Sequence, residues 1–380
     1  MNHTDRDLLP EGLEDRLPAA AAAAARVTAA MTAVMASHGY APLQPPAIEF
    51  ERSLASRMAG IEPRRMFRFV DPSSLRTLAL RSDITPQVGR IAATRLAGAA
   101  RPLRLSYAGQ VVTITGAGLE PARERLQIGA EIIGSDSVAA AGEAVALAIE
   151  ALGAAGARAI SVDFTLPDLV DALADGALPL PASAREAVRR ELDAKDAGAL
   201  VAAGGRAYLP LLHATGPFEA AIARLDGIAS AHPAAGPVLG PRIAALRAIA
   251  ARLGQSARLT LDPSERHGFE YQSWFGFVIY AQGLRGALGR GGSYTILGEG
   301  QGAREPAVGF SLYPDPLIEH LAVAGDAAEP MLFLPLDHDF SAAARLRGAG
   351  WRTLAALSPG DDPRALGCTH RLAGDAAVAL

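Results

Sequence analysis

Residues 101–134, RPLRLSYAGQVVTITGAGLEPARERLQIGAEIIG, contain two runs with the alternation of β-strands, joined by a loop rich in Gly, Pro and charged residues. A side-chain period of two places Gln127, Gly129 and Glu131 on one face of the second run. One strand of a hairpin therefore offers an amide and a carboxylate to whatever lies above the sheet. That pairing commits this part of the chain to a sheet with one chemically equipped face.

At 380 residues the chain is too long for one ordinary core, so two or three units are expected. The formal net charge of -4 and a pI near 6.1 give no whole-molecule attraction to nucleic acid or an anionic membrane. The densest basic clusters are only pairs, Arg64-Arg65 and Arg189-Arg190. Cys368 is the sole cysteine, which excludes an internal disulfide framework and fits a reducing compartment. The N-terminus MNHTDRD lacks a secretory apolar region, and the uncharged stretch 27–48 is broken by Pro42, Pro45 and Pro46, so a cytoplasmic protein without a membrane segment is expected. Lys195 is the only lysine, and its setting, ELDAKDAG, reads as a solvated helix face. A phosphate-loop Gly-Lys-Ser/Thr motif is thereby excluded, and any phosphate work falls to arginine.

The element order runs as follows. A long helix spans 13–37, ends at His38-Gly39 and leads into the extended GYAPLQPPAIEF. Pro86 opens a helix reaching about Leu96. After the hairpin, Asp136 is placed as the cap of a helix closed by Gly153, and RAISVDFTLP alternates as a strand. Residues 167–253 have helical patterning, with a capping-box match at Ser183–Glu186. Strands resume at 257–261 and 269–281; a glycine-dense turn, GRGGSY, precedes the strand PAVGFSLY, and a β-α-β tail closes the chain.

This order resembles the catalytic domain of class II aminoacyl-tRNA synthetases, in the histidyl-tRNA synthetase line, over roughly residues 9–320. LLPEGLEDRLP is similar to that family's opening motif. GYAPLQPPAIEF resembles its dimer-forming first motif, with Pro46 in the defining position, and the hairpin resembles its second. GRGGSY with PAVGFSLYPDPL stands at its glycine-rich turn and third motif. The resemblance implies an α+β fold: an antiparallel sheet flanked by helices, with a helical insertion and a small α/β C-terminal tail. The expected divisions are core residues 1–165 and 256–325, an insertion at 166–255 and a tail at 330–380.

Free histidine has an α-ammonium, a carboxylate and an imidazole, so a pocket for it needs anionic, amide and hydroxyl partners. Arg81-Ser82-Asp83-Ile84-Thr85 resembles the family's Arg-Pro-Glu-Gly-Thr strand, which implies ammonium binding by Asp83 and Thr85. Gln127 and Glu131 match further amino-acid contacts. The family's Arg-Gly-Leu-Asp-Tyr-Tyr segment corresponds to residues 266–272, which implies Arg266, displaced by one residue, and Tyr271 as contacts. Tyr271 either closes over an imidazole or packs in the core beside Trp274 and Phe275. His267 has no second His, Cys or carboxylate at ligand spacing, so neither a metal nor a cofactor is expected.

Adenylation develops charge on the α-phosphate, which the family meets with arginines in motifs two and three. Here Thr113 stands at the first position, Pro316 at the second, and Ser293 replaces another basic residue. Arg123, Arg125 or Arg304 either compensates from nearby or is an exposed loop arginine. About 60 residues follow Leu317, too few for an anticodon-reading domain. Retained amino-acid contacts without ATP arginines resemble the regulatory subunit of ATP phosphoribosyltransferase. That resemblance implies a non-catalytic chain that dimerises through its first motif, partners a short catalytic subunit and senses free histidine. The alternatives are a divergent synthetase or amino-acid ligase, and a histidine-binding module serving another partner.

Overall fold

The computed structural model describes residues 9–55, 66–116, 122–266, 272–297, 304–324 and 330–380. The chain forms two compact units, residues 1–320 and 321–380.

In the first unit, α1 (Pro18–Ser37) starts at its proline, later than expected, because Pro18 suits the first helical turn. By length and hydropathy (1.5) α1 meets the requirement for a membrane-spanning helix, a property the reading of 27–48 missed. Its stripe of Ala23, Val27, Met31 and Met35 is buried. Next come β1 (Ala41–Leu43), β2 (Ile48–Phe50), α2 (Glu51–Ala55), β3 (Arg68–Val70) and β4 (Thr77–Leu80). Helix α3 (Thr85–Ala93) has Pro86 in its first turn, as expected. The hairpin is β5 (Leu103–Val112) with β6 (Glu124–Ile133), in the register Gly109 opposite Gln127 and Leu105 opposite Glu131.

The helix after the hairpin, α4 (Val138–Ala154), is capped by Ser137, whose hydroxyl accepts from the Ala140 amide at 3.2 Å, and not by Asp136. Strand β7 (Ile160–Thr165) is followed by α5 (Leu169–Ala174), α6 (Ala182–Asp193), α7 (Ala197–Ala202), α8 (Leu209–His213), the short β8 (Gly216–Pro217), α9 (Phe218–Ala231) and α10 (Gly236–Leu253). The capping box at Ser183 does not form: α6 begins two residues earlier than that cap requires, with Pro181 as N-cap and no side-chain cap.

The sheet then resumes with β9 (Arg258–Asp262), β10 (Gln272–Ala281), β11 (Gly289–Leu297) and β12 (Arg304–Leu312), before α11 (Asp315–Ala324). The expected glycine turn GRGGSY is thus strand. A Cβ on Gly291 would lie 2.4 Å from the Gly309 carbonyl oxygen and 2.5 Å from the Phe277 ring, so glycine there permits close packing and does not reverse the chain.

Among the described residues the main sheet orders its nine strands β1-β5-β6-β12-β11-β10-β7-β9-β8, mostly antiparallel. Helices α1 and α4 pack together and against the sheet, and α10 packs on α4. The other face carries α3, whose Val88 and Ala92, with the N-cap Ile84, share a buried cluster with Leu105, Tyr107, Ile133 and Tyr294. A small sheet, β2-β4-β3, leaves Ile48, Phe69 and Val70 exposed.

The second unit holds β13 (Met331–Leu334), α12 (Phe340–Gly348), β14 (Arg352–Ala355), β15 (His370–Ala373) and β16 (Ala376–Ala379), ordered β14-β13-β15-β16. Leu332, Leu334, Ala343 and Leu372 form its core. The expected β-α-β tail is present, extended by the β15–β16 hairpin, whose second strand, AAVA, carries little β signal.

Candidate functional site

The α3 end of the sheet gathers four of the expected residues into one network. Asp83 Oδ1 accepts from the Thr85 amide at 2.9 Å and from Gln127 Nε2 at 2.7 Å. Gln127 Oε1 accepts from the Ile84 amide at 2.9 Å, and its Nε2 also donates to Ser311 Oγ at 2.7 Å. The Thr85 hydroxyl lies 3.0 Å from that of Tyr107, which donates to Glu131 Oε1 at 3.1 Å. Tyr294 donates to Glu131 Oε2 at 2.8 Å. Local structure sets this up: Asp83 precedes α3, Thr85 is its first residue, and the alternation of β6 aims Gln127 and Glu131 at the same side.

Glu131 is 1% exposed and Gln127 0%. Burial pushes the Glu131 carboxyl up to about 8; hydrogen bonds from Tyr294 and Tyr107 oppose the shift, and the nearby Asp83 charge adds to it. Burial also holds the Tyr107 hydroxyl well above its ordinary value. A carboxyl that is neutral near pH 7 yet ringed by hydroxyls can ionise when a cation or ring N–H arrives.

Glycines give the cluster its floor. A Cβ on Gly129 would stand 2.3 Å from the Tyr107 hydroxyl, and one on Gly309 would lie 1.7 Å from Glu131 Oε2. Strand register extends this floor: Glu131, Gly309, Gly292, Gly276, Thr165 and Asp262 are successive partners across β6, β12, β11, β10, β7 and β9. Directly opposed residues share a sheet face, so one row has a carboxylate at one end, three glycines in the middle and Thr165-Asp262 at the other end.

Tyr271 lies outside the described residues, as does His267. Arg266 forms an ion pair at 3.6 Å with Glu186 of α6. Thr113 gives its hydroxyl to the Thr115 carbonyl at 2.8 Å. Arg123 donates to the Glu11 carbonyl at 3.1 Å and stacks over Phe67. Arg125 stacks over Tyr313 with its guanidinium carbon 4.2 Å from the ring centroid, and Arg304 is exposed at the start of β12. Pro316 follows Asp315, which is paired with Arg16 and accepts from the Leu126 amide at 3.3 Å. Ser293 is fully buried and accepts from the Phe275 amide at 3.1 Å.

Sequence reasoning did not assign Tyr107, Tyr294 or Ser311 to the cluster. The period-two pattern alone reveals the first, since Tyr107 opposes Gly129; the other two need the strand order. Lys195 also departs from expectation. It stands just past α6 with φ 56° and reaches Asp262 at 2.7 Å and Ser264 Oγ at 3.1 Å, so it is an anchor and not a free surface charge.

The Histidyl-tRNA synthetase family model matches residues 12–317. The chain is 40% identical to the ATP phosphoribosyltransferase regulatory subunit of Rhodospirillum centenum (strain ATCC 51521 / SW), over 97% of this chain and 95% of that protein. It is also 40% identical to the same-named protein of Paramagnetospirillum magneticum, over 98% of both. The chain belongs to the ATP phosphoribosyltransferase regulatory subunit family. The fold is shared with an ATP phosphoribosyltransferase regulatory subunit/histidyl-tRNA synthetase from Bacillus halodurans C, at TM-score 0.77 and 23% identity, covering 95% of this chain and 96% of that one. A histidyl-tRNA synthetase from Nostoc sp. PCC 7120 superposes at TM-score 0.78 and 16% identity, covering 96% and 91%. The class II synthetase-like α+β expectation is therefore met by a regulatory-subunit chain.

Proposed function

We propose that this chain is the non-catalytic regulatory subunit of ATP phosphoribosyltransferase, the first enzyme of histidine biosynthesis. In this reading it activates a short-form catalytic subunit in the cytoplasm, self-associates through the segment around Pro46, and senses free histidine at Asp83, Thr85, Gln127 and Glu131. One contrast carries the reading. The face suited to an amino acid keeps its carboxylates, amide and hydroxyls, whereas the positions at which a synthetase places ATP arginines hold Thr113 and Pro316. Arg123 and Arg125, the nearest substitutes, are engaged with Glu11, Phe67 and Tyr313.

A pocket that binds without reacting acts only through a coupling free energy, typically about 1–3 kcal/mol, which arises when histidine binds one state of the complex more tightly than another. Linkage makes the effect reciprocal: substrate on the catalytic subunit weakens histidine binding here by the same factor. The test is reconstitution with the short catalytic subunit, following phosphoribosyl transfer to ATP with and without histidine. Gln127→Ala plus Glu131→Ala is expected to preserve activation and weaken inhibition about tenfold or more. Unchanged inhibition would place the sensor on the catalytic subunit. The competing synthetase reading demands histidine-dependent pyrophosphate exchange by the isolated chain, and none is expected.

A further inference from the structure

The glycine row leads away from Glu131 to a group that the histidine contacts leave unused. Thr165, the last residue of β7, is 1% exposed, and among the described residues its hydroxyl has no hydrogen-bond partner. A buried hydroxyl without a partner is costly, and native structures rarely leave one idle. Its two sheet neighbours explain its isolation. On one side stands Gly276, which has no side chain; on the other stands Asp262, whose carboxylate is taken by Lys195 at 2.7 Å and by the Ser264 amide and hydroxyl at 3.2 and 3.1 Å. Asp262 is therefore held back, and Thr165 faces the glycine row.

The make-up of the row selects an occupant. Four inter-strand steps separate β6 from β7, about 19 Å at the usual sheet spacing. Side chains stand roughly perpendicular to the sheet, so the three glycines between Glu131 and Thr165 contribute none of their own to the strip above them. A strip of bare glycine backbone with a carboxyl at one end and a hydroxyl at the other suits a small polar molecule such as a single amino acid.

We propose that Thr165 is a further ligand-contacting residue of the amino-acid site: it closes the far end of the glycine row and hydrogen-bonds the polar tip of the bound amino acid's side chain, so that the row measures that side chain. The proposal rests on the histidine reading above and adds a specificity residue to it. Lys195, through Asp262, is a positioning residue that keeps the carboxylate from capturing the Thr165 hydroxyl.

Calorimetric titration of the full chain with L-histidine and with the two ring-methylated histidines tests this. Thr165→Val is nearly isosteric and removes only the hydroxyl. It is expected to bind histidine about 3- to 10-fold more weakly, to discriminate less against a ring-methylated histidine, and to melt no lower than the parent, because an unsatisfied group has gone. Thr165→Ser is expected to restore binding, and Thr165→Ala serves if the valine variant does not fold. Binding and discrimination unchanged in Thr165→Val, alongside lost affinity in Glu131→Gln, would overturn the role of Thr165 and leave the histidine reading standing. A parent chain that binds no histidine would overturn both.

Discussion

The two ends of the β5–β6 hairpin differ in what their side chains do. Near α3, Gln127, Glu131, Tyr107 and Ser311 are at most 4% exposed and bonded to one another, a polar network kept inside the protein. At the loop end, Thr113 and Arg123 bind carbonyls of Thr115 and Glu11, simple fastenings of nearby chain. Burying a polar network risks several kcal/mol if one member goes unpaired, whereas half-exposed loop contacts risk about 1 kcal/mol each. A chain that keeps the expensive arrangement and lets the other drift into routine packing has a use for the first. The contrast can be broken at either end.

The largest effect is expected from Gly129→Ala. The added Cβ would meet the Tyr107 hydroxyl at 2.3 Å and the Phe310 carbonyl oxygen at 2.4 Å, and backbone cannot rotate away. A loss of about 3 kcal/mol or more is expected by denaturant unfolding, together with loss of histidine binding. Gly153→Ala is the control: it lies within helix α4 with nothing within 4 Å, and should stabilise by about 0.5–1 kcal/mol. Similar outcomes for the two variants would mean that the glycine floor is not tightly packed.

A pH series sharpens the same comparison. Glu131 titrates near 8 in the folded chain against an ordinary value of 4.5, so between those values the folded state holds the extra proton. Stability contributed by this site is then present below pH 4.5 and is lost as pH rises, by about 1.4 kcal/mol per pH unit, levelling above pH 8. Asp315 and Asp193 are also raised by burial and add slopes of the same sign. Those slopes cancel when Glu131→Gln is compared with the parent. Urea unfolding from pH 5 to 9 should show the variant gaining on the parent by about 2–3 kcal/mol between pH 6 and 8. Parallel profiles would refute the shifted carboxyl.

Most of this contrast was legible in the sequence, for an identifiable reason. Period-two alternation puts Gln127 and Glu131 on one face whatever the rest of the fold does, and Pro86 marks the start of α3 beside them. Tyr294, Ser311 and Thr165 were not legible as neighbours, because they reach the row through β11, β12 and β7, which the sheet order brings together across the helices inserted between β7 and β9. GRGGSY misled for a related reason: glycine reads as a turn locally, but here it answers a packing demand from Phe277 and Gly309. Lys195 was misplaced because a charged local sequence says nothing about a partner as distant as Asp262.

The smallest expected effect tests the loop end directly. Arg123→Ala removes a hydrogen bond to the Glu11 carbonyl and the stacking of its guanidinium 4.9 Å above the Phe67 centroid. Both contacts are partly exposed, so the loss should be about 1 kcal/mol, read as a small drop in unfolding midpoint. Histidine affinity should not change, since Arg123 contacts none of Asp83, Thr85, Gln127 or Glu131 among the described residues. The outcome discriminates because a synthetase with relocated arginines predicts something else: ATP would protect the parent against unfolding, and Arg123→Ala would abolish that protection. ATP is expected to leave the unfolding midpoint of the parent and that of the variant each unchanged, which keeps Arg123 a fastening of the 10–16 segment and leaves the relocated-arginine reading without support at this end of the hairpin.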